Sequence, residues 1–356
     1  MQDRNTFGNA FKNRKILVTG NTGFTGAWAS IWLKKLNADV LGYSLAPQTT
    51  PSMFEELSLQ DEVETVYADI MDKEKLQSAF ERFEPELVLH LAAQPLVREG
   101  YRTPLETFAV NAQGSAHVLE AARLTDSVKA ILCVTTDKVY KNDNKSISFS
   151  EAAELGGNDP YSASKSCAEL IAQSYRASFP NGPKIATARA GNIVGGGDWS
   201  DDRLIPDFIK ALTNDTELVI RNPNATRPWQ HVLAALTGYF TLLSALLEDD
   251  GDKYAGAWNF GPSDLEEFTV RQIVDLLGEK WRTPTVQLQI SEFQEAQTLA
   301  IDSSKAAHEL AWHSPWNTRR TLCETIEWYR TFYQKPADIK EFTIKQIDLW
   351  GEEVLA

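Results

Sequence analysis

The sequence contains few cysteines, few histidines and no long apolar stretch. Its three cysteines, Cys133, Cys167 and Cys323, are scattered and form no CxxC pair, so we expect no disulfide framework and a reducing, cytoplasmic setting. The five histidines show no HxxxH or HExxH spacing, which predicts that the protein has no built-in metal site. No run of about 18 apolar residues occurs and the first residues are polar, so neither a membrane span nor a signal peptide is expected.

Positive charge is also scarce. The chain of 356 residues has 35 lysines and arginines against 49 aspartates and glutamates, a formal net charge of −14. This balance argues against general binding to nucleic acid or to anionic membranes. It also means that a phosphate-bearing ligand would need a local cluster of basic side chains.

Hydrophobic residues make up 43% of the chain and are grouped in short runs that alternate with amphipathic segments. Continuous apolar runs are typical of strands buried on both faces of a parallel sheet. The alternation predicts right-handed βαβ crossovers, and hence an α/β fold with a doubly wound parallel Rossmann sheet. The predicted strands are 15–19, 39–45, 63–67, 86–93, 128–136 and 184–192, and the predicted helices between them are 24–36, 73–83, 104–124 and 160–178.

This alternation of strands and helices stops after Asn192, and a Gly/Asp-rich segment, GGGDWSDD (195–202), follows. Later segments mix short strands with helices such as 318–334. The sequence therefore predicts a dinucleotide-binding Rossmann domain over 1–191, to which 230–260 returns. A smaller mixed α/β lobe, formed by 192–229 and 261–356, is expected to bind the substrate over the carboxyl ends of the strands.

A glycine-rich turn joins the first predicted strand to the first predicted helix. Gly20, Gly23 and Gly26 have the spacing GxxGxxG. Glycine permits positive φ and lets the backbone approach a pyrophosphate, and a helix start offers free N–H groups and partial positive charge. The alternative is a tight βα turn with no ligand, but the position between a buried strand and a helix favours dinucleotide binding.

Tyr161 and Lys165 lie four residues apart, on one face of a helix that follows Pro160. A tyrosine of ordinary pKa, about 10, is a poor base at neutral pH. A nearby ammonium and a positive nicotinamide ring would favour the phenolate, which could then take a proton from a substrate hydroxyl. The pair predicts oxidation of an alcohol, although YxxxK alone is common on helix surfaces.

The glycine turn and the Tyr161–Lys165 pair together resemble the extended short-chain dehydrogenase/reductase family. That resemblance implies a nicotinamide dinucleotide held by residues at matching positions. The second strand ends in Tyr43-Ser44-Leu45, without the usual acidic residue that grips the adenosine ribose and without an arginine for a 2′-phosphate, so NAD is favoured over NADP. The implied cofactor-binding residues are Gly20, Thr22, Gly23, Phe24, Gly26, Asp69, Ile70, Leu91, Ala92, Ala93, Asn111, Tyr161 and Lys165.

The residues after the fifth strand narrow the resemblance. Thr136-Asp137-Lys138 is similar to the Thr-Asp-Glu of sugar-nucleotide 4,6-dehydratases, and it resembles most the branch that acts on CDP-glucose. In that chemistry, a ketone formed at C4 acidifies the C5 hydrogen, so a base can remove it while an acid protonates the departing C6 hydroxyl. Thr136 is the candidate hydrogen-bond donor beside Tyr161, Asp137 the candidate acid and Lys138 the candidate base.

Basic residues expected to bind the diphosphate lie where the chain leaves the predicted sheet. Arg227-Pro228-Trp229 resembles the Arg-Asp-(Trp/Phe) segment whose arginine binds the nucleotide diphosphate in the family, and guanidinium groups suit phosphate oxygens. Each arginine taken singly could instead be a solvated surface residue. The implied substrate-binding residues are Gln94, Arg98, Asn192, Arg203, Arg221 and Arg227.

Three other interpretations remain open from the sequence. The chain could be a 4,6-dehydratase of another nucleotide sugar, or a sugar-nucleotide 4-epimerase of the same family. It could also be a catalytically silent dinucleotide-binding regulator, although Thr136, Tyr161 and Lys165 together argue against this. The resemblance implies a homodimer or homotetramer formed through the predicted helices 104–124 and 160–178.

Overall fold

The protein was analysed as a computed structural model, which describes residues 7–143, 148–262, 268–289 and 299–355. Its strands, in chain order, are β1 (Lys15–Thr19), β2 (Asp39–Ser44), β3 (Glu64–Tyr67), β4 (Leu87–His90), β5 (Ala130–Val134), β6 (Ser148–Phe149), β7 (Lys184–Ala190), β8 (Ile193–Val194), β9 (Leu218–Ile220), β10 (Gln230–His231), β11 (Ala257–Phe260), β12 (Val286–Leu288) and β13 (Ala300–Ile301).

Seven of these strands form one parallel sheet in the order β11-β7-β5-β4-β1-β2-β3. The remaining strands form three short parallel pairs, β8 with β10, β9 with β12, and β6 with β13. The chain changes direction across the sheet between β1 and β4, and ligands of such folds bind in the crevice at this point.

The helices, in chain order, are α1 (Phe24–Lys35), α2 (Met53–Glu56), α3 (Lys73–Phe83), α4 (Val97–Arg102), α5 (Pro104–Phe108), α6 (Ser115–Arg123), α7 (Pro160–Ser178), α8 (Leu204–Asn214), α9 (Val232–Leu246), α10 (Val270–Lys280), α11 (Ser304–Glu309), α12 (Thr318–Gln334) and α13 (Ile339–Val354). No helix among the described residues is long and apolar enough to cross a membrane.

The central strands are buried on both faces, as their apolar runs predict. Ile16 and Val18 of β1 pack into one hydrophobic cluster with α1 and α9, whereas Leu17 packs into a second cluster with α3 and α6. β4 and β5 alternate in the same way. Since successive side chains of a strand point to opposite faces, this alternation requires helices on both sides of the sheet.

The predicted helix 104–124 is interrupted. It consists of α5, a π-helical segment (Ala109–Gly114) and α6. The predicted strand 128–136 is also shorter, because the extended pairing ends at Val134 and Asp137–Val139 form a 3-10 turn. Both differences lie at the carboxyl edge of the sheet, where hydrogen bonds to side chains replace regular pairing.

The last helix, α13, packs against two helices that cover the main sheet. Trp350 of α13 donates a hydrogen bond to Thr237 of α9 at 2.7 Å, and α13 also contacts α1. β11, from the range 230–260, is an outer strand of the main sheet and pairs with β7.

Candidate active site

A cavity of about 520 Å³ opens over the carboxyl ends of the central strands. One side is lined by residues that follow β4, β5 and β7 and by the first residues of α1 and α7. The other side is lined by the start of α8, by β9 and by the segment after β9. Thirteen of the residues predicted for the site line it: Phe24, Leu91, Ala93, Arg98, Thr136, Asp137, Lys138, Tyr161, Lys165, Asn192, Arg203, Arg221 and Arg227.

The glycine-rich turn forms a close-fitting cradle beside this cavity. Gly20 has a φ of +73°, and a Cβ on it would come within 2.8 Å of the Ala92 nitrogen. A Cβ on Gly26 would come within 2.0 Å of the Gly20 carbonyl oxygen. The first turn of α1 contains no acidic residue, and no side chain caps it at Gly23. Its N–H groups and partial positive charge are thus suited to an anion such as a dinucleotide pyrophosphate.

The other predicted cofactor residues surround this turn. The Thr22 hydroxyl bonds the Ser44 hydroxyl at 2.7 Å and donates to the Leu45 carbonyl, which ties the turn to the end of β2. Asp69 accepts a hydrogen bond from the Met71 nitrogen. Ile70 is buried, and its side chain would clash with a Cβ on Gly114. Gly20, Thr22, Gly23, Gly26, Asp69, Ile70, Ala92 and Asn111 are not among the described residues that line the cavity.

Asn111 lies in the π-helical segment and connects three elements. Its amide nitrogen donates to the Gln94 carbonyl at 3.0 Å and to the Ser164 hydroxyl at 2.9 Å, and its amide oxygen accepts from the Gln94 nitrogen. The Gln94 side chain is itself bonded to Thr107 and to the Leu96 nitrogen. Gln94 is therefore held within the loop after β4, and it is not among the described residues that line the cavity.

Tyr161 and Lys165 are both buried on the cavity-facing side of α7. The helix begins at Pro160, and the carboxylate of Asp159 accepts a hydrogen bond from the Ser162 nitrogen at 3.0 Å, which is a favourable N-terminal cap. The Lys165 ammonium donates to the Val134 carbonyl at 3.0 Å. This bond fixes the lysine against the end of β5, and burial lowers its pKa from 10.5 to about 8.

The pKa of Tyr161 is set by two opposing effects, burial and nearby positive charge. Burial raises the pKa of the Tyr161 phenol, and this effect outweighs the others. The ammonium that most opposes the rise is that of Lys138, helped by a hydrogen bond with Thr136. The residues after β5 therefore act on the phenol more directly than the sequence spacing suggested.

Asp137 and Lys138 form an ion pair at the cavity wall. The Asp137 Oδ1 atom accepts hydrogen bonds from the Lys138 Nζ atom and from the Thr136 hydroxyl, each at 3.0 Å. Only 1% of the Asp137 side chain is exposed, against 27% for Lys138. The second carboxylate oxygen, Oδ2, is buried and has no hydrogen-bond partner among the described residues. A buried oxygen of this kind is costly unless a ligand or a proton satisfies it.

A second ion pair, which the sequence pattern did not predict, is buried next to the site. Glu169 follows Lys165 by one helical turn and bonds Arg189 of β7 at 2.8 Å. Its carboxylate also accepts hydrogen bonds from the hydroxyls of Thr135 and Thr187. Glu169 thereby connects α7 to β5 and β7 just below Thr136. Its position four residues after Lys165 was the only available signal in the sequence.

The predicted arginines also line the cavity, and most of them bond acidic residues of one loop. Arg98 and Arg221 both bond the Asp202 Oδ1 atom, at 3.0 and 3.3 Å, and Arg203 bonds Asp198 at 2.8 Å. Arg102, which was not predicted, lies 3.9 Å from the other Asp202 oxygen.

The two remaining predicted substrate residues are held near the same loop. Arg227 donates to the Thr226 carbonyl, and the Asn192 carbonyl accepts from the Gln230 nitrogen. The arginines therefore do gather at one cavity, but carboxylates of the protein already neutralise several of them.

The loop that carries these carboxylates, 195–202 (the Gly/Asp loop), is fixed at its back. The Tyr329 hydroxyl of α12 bonds the Asp198 backbone, and Trp199 packs edge-on against Trp328. A Cβ on Gly196 would come within 2.0 Å of the Trp328 ring. Helix α12, far along the sequence, thus fixes the position of Asp198.

Comparison with known proteins agrees with this geometry. Residues 16–256 match the model of the NAD dependent epimerase/dehydratase family. The chain is 42% identical over 333 residues to a CDP-glucose 4,6-dehydratase of Salmonella typhimurium, covering 91% of this chain and 92% of the relative. It is 26% identical to a dTDP-D-glucose 4,6-dehydratase of Bos taurus, covering 89% of each.

Solved structures have the same fold. A dTDP-glucose 4,6-dehydratase of Streptomyces venezuelae with NAD bound superposes with a TM-score of 0.76 at 23% identity, covering 90% of this chain and 99% of that one. A UDP-glucose 4-epimerase of Thermus thermophilus in complex with NAD gives a TM-score of 0.78 at 22% identity, covering 89% and 99%. The predicted Rossmann fold and the predicted use of NAD are confirmed. The chain therefore belongs to the NAD dependent epimerase/dehydratase family.

Proposed function

We propose that the protein is a CDP-glucose 4,6-dehydratase, which converts CDP-D-glucose into CDP-4-keto-6-deoxy-D-glucose and water. The relative that is 42% identical over most of the chain carries this activity in its name. The structural observation that carries the proposal is the single cavity wall formed by Thr136, Asp137, Lys138 and Tyr161, which combines groups for oxidation with groups for elimination.

We assign the cofactor to the glycine-rich turn and the adjoining strand ends. NAD, when bound, supplies the electron acceptor for oxidation at C4 and returns the hydride at C6, so no net oxidation occurs. Gly20, Gly23 and Gly26 would hold the pyrophosphate against the start of α1. Asn111 would act indirectly, because its side chain is used to join the loop after β4 to α7.

For the first step, Tyr161 is the base that takes the proton of the sugar 4-hydroxyl, and Thr136 hydrogen-bonds the same oxygen. The phenolate has to form in a buried position, which burial disfavours. The Lys138 ammonium offsets this cost, and the Arg203 guanidinium adds a smaller effect of the same sign. Lys165 is held by the Val134 carbonyl one helical turn from Tyr161. The positive charges of Lys138 and Arg203 thus favour proton removal at C4.

For the elimination, the Asp137–Lys138 pair can supply both an acid and a base. Transfer of one proton across their 3.0 Å contact would convert the ion pair into a carboxylic acid and an amine, with the total number of protons unchanged. The amine could then remove the C5 hydrogen, and the acid could protonate the C6 hydroxyl as it leaves as water. The proton that crosses this contact reaches the Asp137 Oδ1 atom, which is therefore the oxygen that would hold the acid proton.

For substrate binding, we propose that Arg98, Arg203, Arg221 and Arg227 hold the diphosphate. Arg98 and Arg221 share Asp202, so phosphate oxygens would have to replace that carboxylate. Asn192 lies next to the Gly/Asp loop and would contact the sugar nucleotide. Gln94, whose side chain is bonded inside its own loop, would act through the position of that loop.

The chain has the fold of 4-epimerases as well as of dehydratases, so substrate and reaction type need a direct test. Purified protein would be incubated separately with CDP-glucose, dTDP-glucose, GDP-mannose and UDP-glucose, and the products analysed by mass spectrometry and NMR. We expect a 4-keto-6-deoxy product from CDP-glucose. An epimer as the only product, or no turnover of CDP-glucose, would contradict the proposal.

A variant separates the two half-reactions in the same assay. Lys138→Met should slow oxidation at C4, because the Lys138 ammonium also favours the Tyr161 phenolate, but it should slow elimination more. Reduced cofactor should therefore accumulate while deuterium from solvent enters C5 slowly. Lys141→Met, a neighbouring exposed lysine paired with Glu154, is the matched control. Normal turnover by Lys138→Met would remove Lys138 from the mechanism.

We also propose that the protein is a cytoplasmic homodimer or homotetramer that pairs through α5, α6 and α7. Large apolar side chains are exposed on these helices: Leu105 is 85% exposed on α5 and Leu170 54% exposed on α7. Analytical ultracentrifugation would test this, and we expect Leu105→Glu with Leu170→Glu to give monomers.

The lobe boundaries proposed from the sequence could be tested by limited proteolysis near residues 192, 229 and 261.

A further inference from the structure

Asp207 is a cavity residue that lies on α8, one helical turn after Arg203. Val219 and Ile220 of β9 line the same cavity. Burial raises the pKa of the Asp207 carboxyl from 3.8 to about 6, helped by the neighbouring carboxylates of Asp202 and Asp201. No described side chain donates a hydrogen bond to its carboxylate, although Lys210 and Arg221 lie near enough to affect its charge.

The charged groups of the cavity follow one another in a definite order. Arg203 is near enough to influence the Tyr161 phenol, and it bonds Asp198. Arg221 bonds Asp202, and both of these residues influence Asp207. A nucleotide sugar has the same linear order of sugar, diphosphate and nucleoside. With the sugar at Tyr161 and the diphosphate at the arginines, the cavity residues of α8 and β9 are left to contact the base.

We propose that Asp207 recognises cytosine by accepting a hydrogen bond from its 4-amino group. This inference rests on the proposed function, because it identifies the base of that substrate. Cytosine has a hydrogen-bond donor at position 4, whereas uracil and thymine have a carbonyl oxygen there. A carboxylate therefore attracts the first base and repels the other two, which gives selectivity through a favourable contact and an unfavourable one. Val219 and Ile220 supply apolar surface against which any pyrimidine ring can pack.

An alternative role for Asp207 is general charge balance against Arg221 and Lys210. In that case the carboxylate would affect all nucleoside diphosphates equally, because the diphosphate is common to them. Asp201 provides a matched control. Like Asp207 it lies near Lys210, with which it forms an ion pair, but its side chain is 85% exposed. Selectivity between bases therefore distinguishes the two roles.

The test is the affinity of the purified protein for CDP and for UDP, measured by isothermal titration calorimetry on the unaltered chain, Asp207→Asn and Asp201→Asn. We expect the unaltered chain to prefer CDP. Asp207→Asn, whose amide can donate to a carbonyl, should bind CDP about tenfold more weakly and UDP at least as tightly as before. Asp201→Asn should keep the original preference.

Equal binding of CDP and UDP by the unaltered chain, or an equal loss of both in Asp207→Asn, would overturn the inference. Thermal unfolding of each variant would verify that it is folded. Because the readout is binding, it is independent of turnover. A protein that prefers CDP through Asp207 but forms no 4-keto product would contradict the proposed function and leave the base recognition intact.

Discussion

The two sides of the cavity are stabilised in opposite ways. On the catalytic wall, which consists of Thr136, Asp137, Tyr161 and Lys165, the side chains are buried and bonded to the sheet or to one another. On the arginine wall, which consists of Arg98, Arg203, Arg221 and Arg227, the side chains are partly exposed, and three of them bond carboxylates of the Gly/Asp loop. The first set of contacts can persist through a reaction cycle, whereas the second must change when a diphosphate binds.

This difference matches the work each wall is proposed to do. Groups that move protons must be held in position beforehand, because reorganisation during the reaction would raise the barrier. Arginines that bind and release a charged substrate benefit from a carboxylate partner that takes the substrate's place when the site is empty. In a chain of net charge −14, an arginine without such a partner would attract other carboxylates. The predictions below test this contrast.

The largest expected effect is on the catalytic wall itself. Tyr161→Phe keeps the ring but removes the base, so we expect the rate of 4-keto product formation to fall by about a thousandfold or more. Tyr175→Phe is the control, since Tyr175 lies on the same helix but is not among the described residues that line the cavity. The product would be measured at saturating CDP-glucose, and a loss of less than about tenfold would contradict the role of Tyr161.

The next effect concerns the buried support behind that wall. Glu169→Gln leaves Arg189 without its charged partner, so the free energy of unfolding should fall by about 3–5 kcal/mol. Glu341→Gln removes a carboxylate from the exposed pair with Lys345 and should have little measurable effect. Chemical denaturation would measure both variants. Similar losses in the two would show that burial does not distinguish these ion pairs.

A pH-dependent effect of moderate size follows from Lys165. The folded protein releases this proton at about pH 8, whereas the unfolded chain keeps it until about 10.5. Between these values the unfolded chain binds more protons, so raising the pH favours the folded state. The stability of the unaltered chain relative to Lys165→Met should therefore increase by about 2 kcal/mol from pH 8 to pH 10. A constant difference would mean that the Lys165 ammonium is well solvated.

The smallest expected effect is on the arginine wall. Asp202→Asn removes the carboxylate that competes with the diphosphate for Arg98 and Arg221, so CDP should bind about threefold to tenfold more tightly. Calorimetry of CDP binding would measure this, again with Asp201→Asn as control. Weaker binding of CDP would instead show that Asp202 is needed to orient the arginines.

The sequence was most informative where local chemistry determines the structure. Gly20 and Gly26 are required by close backbone approaches, and the Tyr161–Lys165 spacing follows from one helical turn, so both could be predicted. The partners of the arginines could not be predicted, because Asp198 and Asp202 lie in a loop without periodicity. The π-helical segment at Asn111 leaves no distinct pattern either, since its hydrogen bonds depend on Gln94 and Ser164.

The Glu169–Arg189 pair shows a different limit of sequence interpretation. Glu169 has the spacing of an ordinary helix-surface residue, and only the packing of α7 against β5 and β7 makes it buried. Asp207 was missed for a similar reason, because its place in the cavity depends on how α8 lies against β9. Residues whose role comes from contacts between distant elements could not be recognised without the fold.

The attachment of the Gly/Asp loop to α12 has a consequence for protein engineering. Asp198 and Tyr329 are bonded although 131 residues separate them, and the Trp328 ring leaves no room for a side chain at position 196. A substrate loop grafted from a relative would therefore meet a foreign helix and settle in a different place. Exchange of substrate preference between such enzymes should succeed only when the loop and α12 are transplanted together as one module.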